Sequence, residues 1–144
     1  MSTEGKPTNP KDRAATHRLD MTLFPDTAIA YGALAMTEGD SKYGGYNYRL
    51  GGVHASTYVA ALKRHMAKWY NGEDIDPRTH VPHLASALAC IAVLIDGYEA
   101  GVLVDDRPPI AGVGMKGLFD RFESISEHLH TLFPNGPKRY TEKL

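Results

Sequence analysis

The chain has 144 residues, of which 42% are hydrophobic, and its net charge is −1 because 16 Lys and Arg nearly balance 17 Asp and Glu. This length predicts one domain, and the lack of a basic excess argues against a nucleic-acid partner. The longest apolar stretch, residues 84–95, is too short to span a bilayer. We therefore expect a cytoplasmic protein with no membrane contact.

The N-terminal third predicts an arm, a helix and a loop. Residues 1–20 are rich in Pro, Thr, Lys and Asp, which is typical of an extended arm that is ordered only by docking. A helix is predicted over 27–38, with Gly39 as its stop. Residues 39–52 hold five glycines and three tyrosines, and this composition predicts an irregular loop.

Two further helices are predicted on either side of a short polar segment. The first begins near His54 or Ser56, carries an apolar stripe at helical spacing and ends at Asn71 and Gly72. The second, over 81–99, is apolar on nearly all sides, as central helices are. Because a chain of this size offers such a helix little cover, we predict a homo-oligomer, dimeric or larger, with this helix near the subunit interface.

The C-terminal part predicts an irregular connector and one more helix. The connector, residues 102–117, is rich in Pro and Gly and includes a candidate strand at 102–104. Apolar residues of the helix recur at helical intervals at Leu118, Phe122, Ile125, Leu129 and Leu132. The whole chain, 1–144, is thus predicted to be a single all-α domain, a small bundle of about four helices with an irregular arm and tail.

Residues 64–83, which are predicted to comprise the end of one middle helix, a short polar loop and the start of the next helix, concentrate candidate ligands. In an antiparallel helix pair the end of one helix lies beside the start of the next, so His65, Glu73, Asp76 and His83 are expected to converge. Mixed imidazole and carboxylate sites suit Mn²⁺, Co²⁺ or Zn²⁺, whereas carboxylates alone suit Mg²⁺. A structural role, in which the acids only cap the next helix, stays open.

The Gly- and Tyr-rich loop is a candidate nucleotide contact. Lys42 and Arg49 supply charge and donors for phosphates. The ring of Tyr43, Tyr46 or Tyr48 can stack on a base, with Asn47 nearby. The loop lacks GxxxxGK[ST], so it is no Walker motif. A flexible connector whose tyrosines pack on the bundle is the alternative that stays open.

Several segments resemble a known family. NPKD, EGDSKYGGYNYR, RHMAKWYNGEDIDP, HLASALACIAVLID and DDRPP are similar to the phage dATP/dGTP diphosphohydrolase N-terminal-domain family, over about residues 9–108. The resemblance implies a phage origin, an all-α nucleotide-handling fold and kinship with the MazG-like NTP pyrophosphatases, which cleave a (d)NTP to a (d)NMP and pyrophosphate with Mg²⁺ or Mn²⁺. MazG-like enzymes bind these metals with ExxE and ExxD on successive helices. Here neither helix carries its acidic pair, and His65 and His83 stand roughly where those acids would be.

The leading hypothesis is therefore a metal-dependent hydrolase of purine deoxynucleoside triphosphates, dGTP or dATP. The divalent metal is Mg or Mn, with Co or Zn as alternatives, and its predicted ligands are Glu38, His65, Glu73, Asp76 and His83. Proton transfer is assigned to Glu73, Asp76 or His65. Phosphates, sugar and base are assigned to Lys42, Tyr46, Asn47, Arg49 and Arg64.

Two other functions stay open. The first is a non-catalytic phage protein that sequesters a host signalling nucleotide with the same side chains. The second is a structural or host-protein-binding helical module, in which the polar segment is only a well-capped turn.

Overall fold

The computed structural model describes residues 9–141. The chain divides into one compact unit that runs up to Asp106 and a second that starts at Arg107. In the described part, the first unit contains helices α1 (Pro10–Ala14), α2 (Asp26–Tyr43), α3 (Asn47–Gly51), α4 (Ala55–Tyr70) and α5 (His83–Glu99), and strands β1 (Val53–His54) and β2 (Leu103–Val104). The second unit contains α6 (Gly114–Leu132). The prediction of an all-α fold is confirmed, apart from this two-stranded sheet.

Helix α5 is the centre of the first unit, where it packs against both α2 and α4. Its buried side consists of small residues, namely Ala85, Ala87, Cys90, Val93 and Gly97. One core cluster joins Ala85 to Ala35 of α2 and to Val81. A second joins Val93 to Tyr48 and Val53. Short side chains let the neighbouring helices approach closely, so this unit has a thin core.

The large apolar side chains of α5 are exposed instead. Leu84 is 38% exposed, Ile91 41%, Ile95 59% and Tyr98 69%. These positions are spaced seven, four and three residues apart, so they form one stripe along the helix. Apart from His83, the buried residues of this helix are small. We call the exposed stripe of large apolar side chains the α5 stripe.

The predicted irregular loop over 39–52 is wrong, because most of it is helical. Helix α2 continues through Gly39 to Tyr43, and the side chain of Lys42 lies 2.8 Å from the Glu38 carboxylate, one turn earlier. Such pairs stabilise a helix across a glycine that sequence composition counts as a stop. Gly44, at φ 84°, ends the helix, and α3 follows almost at once.

The arm and the connector also contain helix that composition did not predict. Within the described residues of the arm, Asn9 caps α1 by accepting from the backbone N–H of Asp12, and Pro10 opens the helix. This is a standard helix start, and NPKD carries its signal. Residues 1–8 of the predicted arm lie outside the described part. Helix α6 begins at Gly114, inside the predicted connector.

The candidate strand at 102–104 is confirmed as β2, which pairs in parallel with β1 and places Val53 opposite Leu103. Just after β2, the Asp106 carboxylate accepts from both the backbone N–H and the hydroxyl of Ser56, in the first turn of α4. These hydrogen bonds lower the pKa of Asp106. The strand pair therefore fixes where α4 begins. No helix in the described part is long and apolar enough to cross a membrane.

Gly97→Ala is expected to destabilise the first unit. A Cβ at this position would lie 2.9 Å from Cγ2 of Val53, which is fully buried, and a valine side chain has little rotamer freedom. Overpacking of this kind costs about 1–3 kcal/mol in the free energy of unfolding. The measurement is denaturant unfolding.

Gly39→Ala is the matched control, because Gly39 is also inside a helix and its Cβ would meet nothing within 4 Å. It is expected to stabilise the protein by up to about 1 kcal/mol through helix propensity. Effects of the same sign and size in both variants would contradict the packing argument.

An ionic cluster joins α3 to α5. Nε and Nη2 of Arg49 each donate to one carboxylate oxygen of Asp96 at 2.8 Å, and the Tyr48 hydroxyl donates to the same group at 2.7 Å. The Arg49 guanidinium also lies 4.7 Å from the ring centroid of Tyr46. Arg49, followed by Tyr48, lowers the pKa of Asp96 to about 2. Burial, followed by Asp96, raises the pKa of Tyr48 to about 12.

Asp96→Asn is expected to flatten the acid limb of the stability curve. Because the folded pKa of about 2 lies below the ordinary value of 3.8, the stabilisation by Asp96 is complete above pH 3.8 and is lost as the pH falls towards 2. Denaturant unfolding at a series of pH values measures this slope. Glu99→Gln, an exposed carboxylate on the same helix, is the control, and equal slopes in wild type and Asp96→Asn would refute the assignment.

Candidate functional site

A pair of histidines lies where α4 and α5 meet. His65 is on α4, His83 is the first residue of α5, and their Nδ1 atoms are 3.0 Å apart. Nε2 of His83 lies 2.6 Å from Oε2 of Glu73, which belongs to the connecting loop. The His83 side chain is fully buried, whereas that of Glu73 is 43% exposed. The structure thus brings together three of the predicted site residues in one chain of contacts.

Backbone hydrogen bonds in the loop hold this geometry. The N–H of His83 donates to the carbonyl of Asp74, and the N–H of Glu73 donates to the carbonyl of Lys68, both at 2.9 Å. Asp76 does not join the histidines. Its Oδ1 accepts from the backbone N–H groups of Thr79 and Arg78, which lowers its pKa. Asp76 therefore has a structural role in shaping the loop.

The environment of His65 favours its neutral form. Partial burial is the main cause that lowers its pKa, followed by His83 and then by Lys68 and Arg64. An imidazole with a pKa below 6.5 is mostly unprotonated at neutral pH. His65 is therefore equipped to accept a proton.

His65 also lines a cleft of about 310 Å³, which we call the histidine cleft. This volume is at the lower end of the range for small-molecule sites. Its walls carry one imidazole, two cationic side chains and two carboxylates above a floor of small residues. They are formed by Ala35, Glu38, Gly39, Lys42, Tyr43, His65, Asp76, Arg78, Thr79, Ser86, Ala89 and Cys90.

A smaller cavity of about 180 Å³ adjoins the histidine cleft, and we call it the tyrosine pocket. The two share Tyr43 and several small residues of α2 and α5 as walls. Most of the other large side chains that line the tyrosine pocket are aromatic, and the polar side chains of Asp40 and Asn47 lie among them. Its tyrosines are Tyr43, Tyr46, Tyr48 and Tyr58. Flat aromatic walls beside a charged cleft suit a base attached to phosphates.

The structure separates the predicted phosphate ligands. Lys42 lines the histidine cleft, next to Glu38. Arg49 is held by Asp96 and does not line that cleft. Arg64 is exposed on α4 beside His65 and does not line it either.

Sequence reasoning missed three charged or aromatic side chains that line these cavities. Arg78 contributes the second cation of the histidine cleft, and nothing in the local sequence distinguishes it from an ordinary loop arginine. Tyr58 lies in the tyrosine pocket although its position in α4 looks like that of a helix-packing residue. Asp40 belongs to the segment that was predicted to contact a nucleotide, but only the cations, tyrosines and Asn47 of that segment were chosen as candidates. By contrast, the predicted Tyr46 and Asn47 do line the tyrosine pocket.

The predicted metal ligands do not surround one point. Among residues 9–141, no three His, Cys, Asp or Glu side chains are placed to hold a metal ion. Both ring nitrogens of His83 have hydrogen-bond partners, and Glu38 is paired with Lys42. This geometry does not fit a metal site formed by protein ligands alone. Glu38 and Asp76 do, however, line the same cleft.

Comparison with known proteins places the first unit in a family context. The family model described as dATP/dGTP diphosphohydrolase, N-terminal, matches residues 8–107. Helix α6 lies outside the matched range. No curated protein and no solved structure matches the chain.

Proposed function

Because the chain belongs to the dATP/dGTP diphosphohydrolase N-terminal family, we propose that it hydrolyses purine deoxynucleoside triphosphates in the histidine cleft. The observation that carries this proposal is a single cleft whose walls combine His65, Lys42 and Arg78. The substrates are dGTP and dATP, and the products are the deoxynucleoside monophosphate and pyrophosphate.

The two adjoining cavities match the two halves of a nucleotide. The triphosphate occupies the histidine cleft, where Lys42 exchanges Glu38 for phosphate oxygens and Arg78 supplies a planar fork of donors. The purine enters the tyrosine pocket and stacks on a ring, with Asn47 as a polar partner. Arg49 contributes indirectly, because its pairing with Asp96 holds the segment that carries the tyrosines.

The proposed chemistry needs one proton acceptor. Water attacks the α-phosphorus, the bond from that phosphorus to the bridging oxygen breaks, and pyrophosphate leaves with the bond electrons. His65 accepts the proton that the attacking water loses. Its low pKa keeps it ready for this role, and a well-placed general base contributes about 10²- to 10⁴-fold in rate.

A divalent metal, Mg or Mn, enters this proposal together with the triphosphate. Mg²⁺ is commonly held by one or two carboxylates plus substrate phosphates and keeps several waters, so it needs no cage of three protein ligands. Glu38 and Asp76 are the carboxylates that line the cleft and would hold it. When bound, the ion neutralises phosphate charge.

The proposal also includes the oligomeric state of the protein and its biological context. The exposed α5 stripe, together with Ile29 and Leu34 of α2, at 53% and 46% exposure, supports a homo-oligomer that covers these apolar side chains. The family resemblance supports a phage enzyme that adjusts the nucleotide pool in the cytoplasm of the infected cell.

A nucleotide panel tests the function. Purified protein is incubated with each dNTP and with Mg²⁺ or Mn²⁺, and the products are separated by ion-exchange chromatography. Conversion of dGTP or dATP to the monophosphate and pyrophosphate is expected, with slower turnover of dCTP and dTTP. Absence of any turnover refutes hydrolysis.

The second candidate is a protein that binds a nucleotide without cleaving it. The sequence observation that favours it is the lack, on α4 and α5, of the ExxE and ExxD pairs with which MazG-like enzymes bind metal. In that case an intact nucleotide raises the melting temperature in a saturable way while no product forms. If no nucleotide shifts the melting temperature, both candidates fail.

A further inference from the structure

We propose that Glu73 and His83 form a positioning pair that fixes His65 in its Nδ1–H tautomer and leaves Nε2 of His65 as a bare proton acceptor at the histidine cleft. The inference deepens the proposed function, and its consequence for turnover rests on that function. The tautomer itself is a property of the free protein.

The argument starts at the carboxylate. An ionised Glu73 can only accept hydrogen bonds, and its Oε2 lies 2.6 Å from Nε2 of His83. Nε2 of His83 therefore carries a hydrogen. This contact fixes the protonation state of the first of the four ring nitrogens of His65 and His83.

The burial of His83 decides the protonation state of its other ring nitrogen, Nδ1. The His83 side chain has no exposed surface. We infer that the ring is a neutral imidazole, because the desolvation that disfavours an imidazolium outweighs the attraction of Glu73, whose carboxylate is 43% exposed to water. A neutral imidazole that has a hydrogen on Nε2 has a lone pair on Nδ1. Nδ1 of His83 is therefore an acceptor.

The contact between the rings then decides the state of His65. The two Nδ1 atoms are 3.0 Å apart, and two lone pairs at this distance would repel. Since Nδ1 of His83 accepts, Nδ1 of His65 donates. A neutral His65 then has its lone pair on Nε2, and no side chain in the described part of the protein pairs with that atom.

This arrangement of ring hydrogens differs from the one that metal binding by His65 and His83 would require. If the two Nδ1 atoms held a metal, both would be lone-pair donors and His65 would carry its hydrogen on Nε2. It could not then take a proton from water. The two histidines thus act through hydrogen bonds in this proposal.

The test is ring ¹⁵N NMR of histidines in the labelled, nucleotide-free protein at neutral pH. The expected spectrum shows protonated Nδ1 and unprotonated Nε2 for His65, with the opposite pattern for His83. His65→Gln and His83→Gln assign the two sets of signals by their loss. A hydrogen on Nε2 of His65, or a doubly protonated His83, overturns the inference. So does movement of both Nδ1 signals when Mg²⁺ or Zn²⁺ is added.

Glu73→Gln provides the second measurement. An amide can donate or accept, so it no longer dictates the tautomer of His83, and a mixture of His65 tautomers is expected. We expect kcat to fall about 10- to 100-fold, as for other partners that orient a functional histidine, with KM nearly unchanged. Asp74→Asn, which removes a charge from the same loop, is the control and should leave both the spectrum and kcat as in wild type.

The outcomes separate the two claims. The expected wild-type spectrum without turnover of any nucleotide refutes the proposed hydrolase and leaves the tautomer assignment standing. Turnover with the opposite tautomer refutes the positioning role alone. If Glu73→Gln fails to fold, the wild-type spectrum still decides the assignment.

Discussion

His65→Gln is expected to lower kcat for dGTP and dATP by about 10²- to 10⁴-fold, the usual contribution of a general base. Glutamine retains an amide that can hydrogen-bond to His83, but it lacks a basic nitrogen. KM is expected to change little, because the proposed phosphate contacts are made by Lys42 and Arg78, which also line the cleft. Steady-state kinetics with separation of the products measures both constants, and a melting curve checks the fold.

The control for this prediction is His128→Gln. His128 is an exposed histidine on α6 and lines neither cavity, so this variant should keep wild-type turnover. If His65→Gln retains most of the wild-type kcat while folded, His65 is not the proton acceptor and the proposed chemistry is wrong.

The second large effect is expected from Ile91→Asp combined with Ile95→Asp, which should convert the proposed oligomer to monomers. Both side chains belong to the exposed α5 stripe. Burying an isoleucine contributes roughly 1.5–3 kcal/mol, and an aspartate in its place would have to lose its hydration in an apolar interface. Size-exclusion chromatography with light scattering measures the mass, which should fall to that of one chain.

Leu50→Asp is the matched control for the oligomer. Leu50 is 96% exposed, is also apolar and lies outside the α5 stripe, so the variant should keep the wild-type mass. A wild-type protein that is already monomeric would refute the oligomer. An unchanged mass in the double variant would show that the subunits meet through another surface.

The hairpin formed by α4, the connecting loop and α5 shows how much of a site local sequence can predict. The ends of α4 and α5 were predicted from apolar periodicity and from the Asn-Gly and Pro signals between them, and adjacency in an antiparallel pair then predicted that His65, Glu73 and His83 converge. The structure shows that convergence. It could not be predicted that Asp76 turns to the loop backbone instead, because both arrangements suit the same spacing.

The predicted phosphate ligands show which features of the site depend on contacts between distant parts of the chain. Arg49 looked free in its Gly-rich segment, but its partner Asp96 lies 47 residues further along the chain. Arg78 carries no local signal, yet the loop places it on the cleft wall. Charge and residue type therefore supply candidates, while the partner that neutralises each charge decides which candidate is left to bind a ligand.

The sequence by itself determined the helical class, the ends of the central hairpin and the presence of an apolar excess on α5, because each depends on residues within a few turns of one another. It misjudged residues 39–52, since side-chain contacts within a helix outweighed the glycines that suggested a loop. Only the tertiary structure decided that the small side of α5 is covered and the large side is not. Periodicity reports how many faces of a helix are apolar, whereas packing against α2 and α4 selects the face that allows close approach.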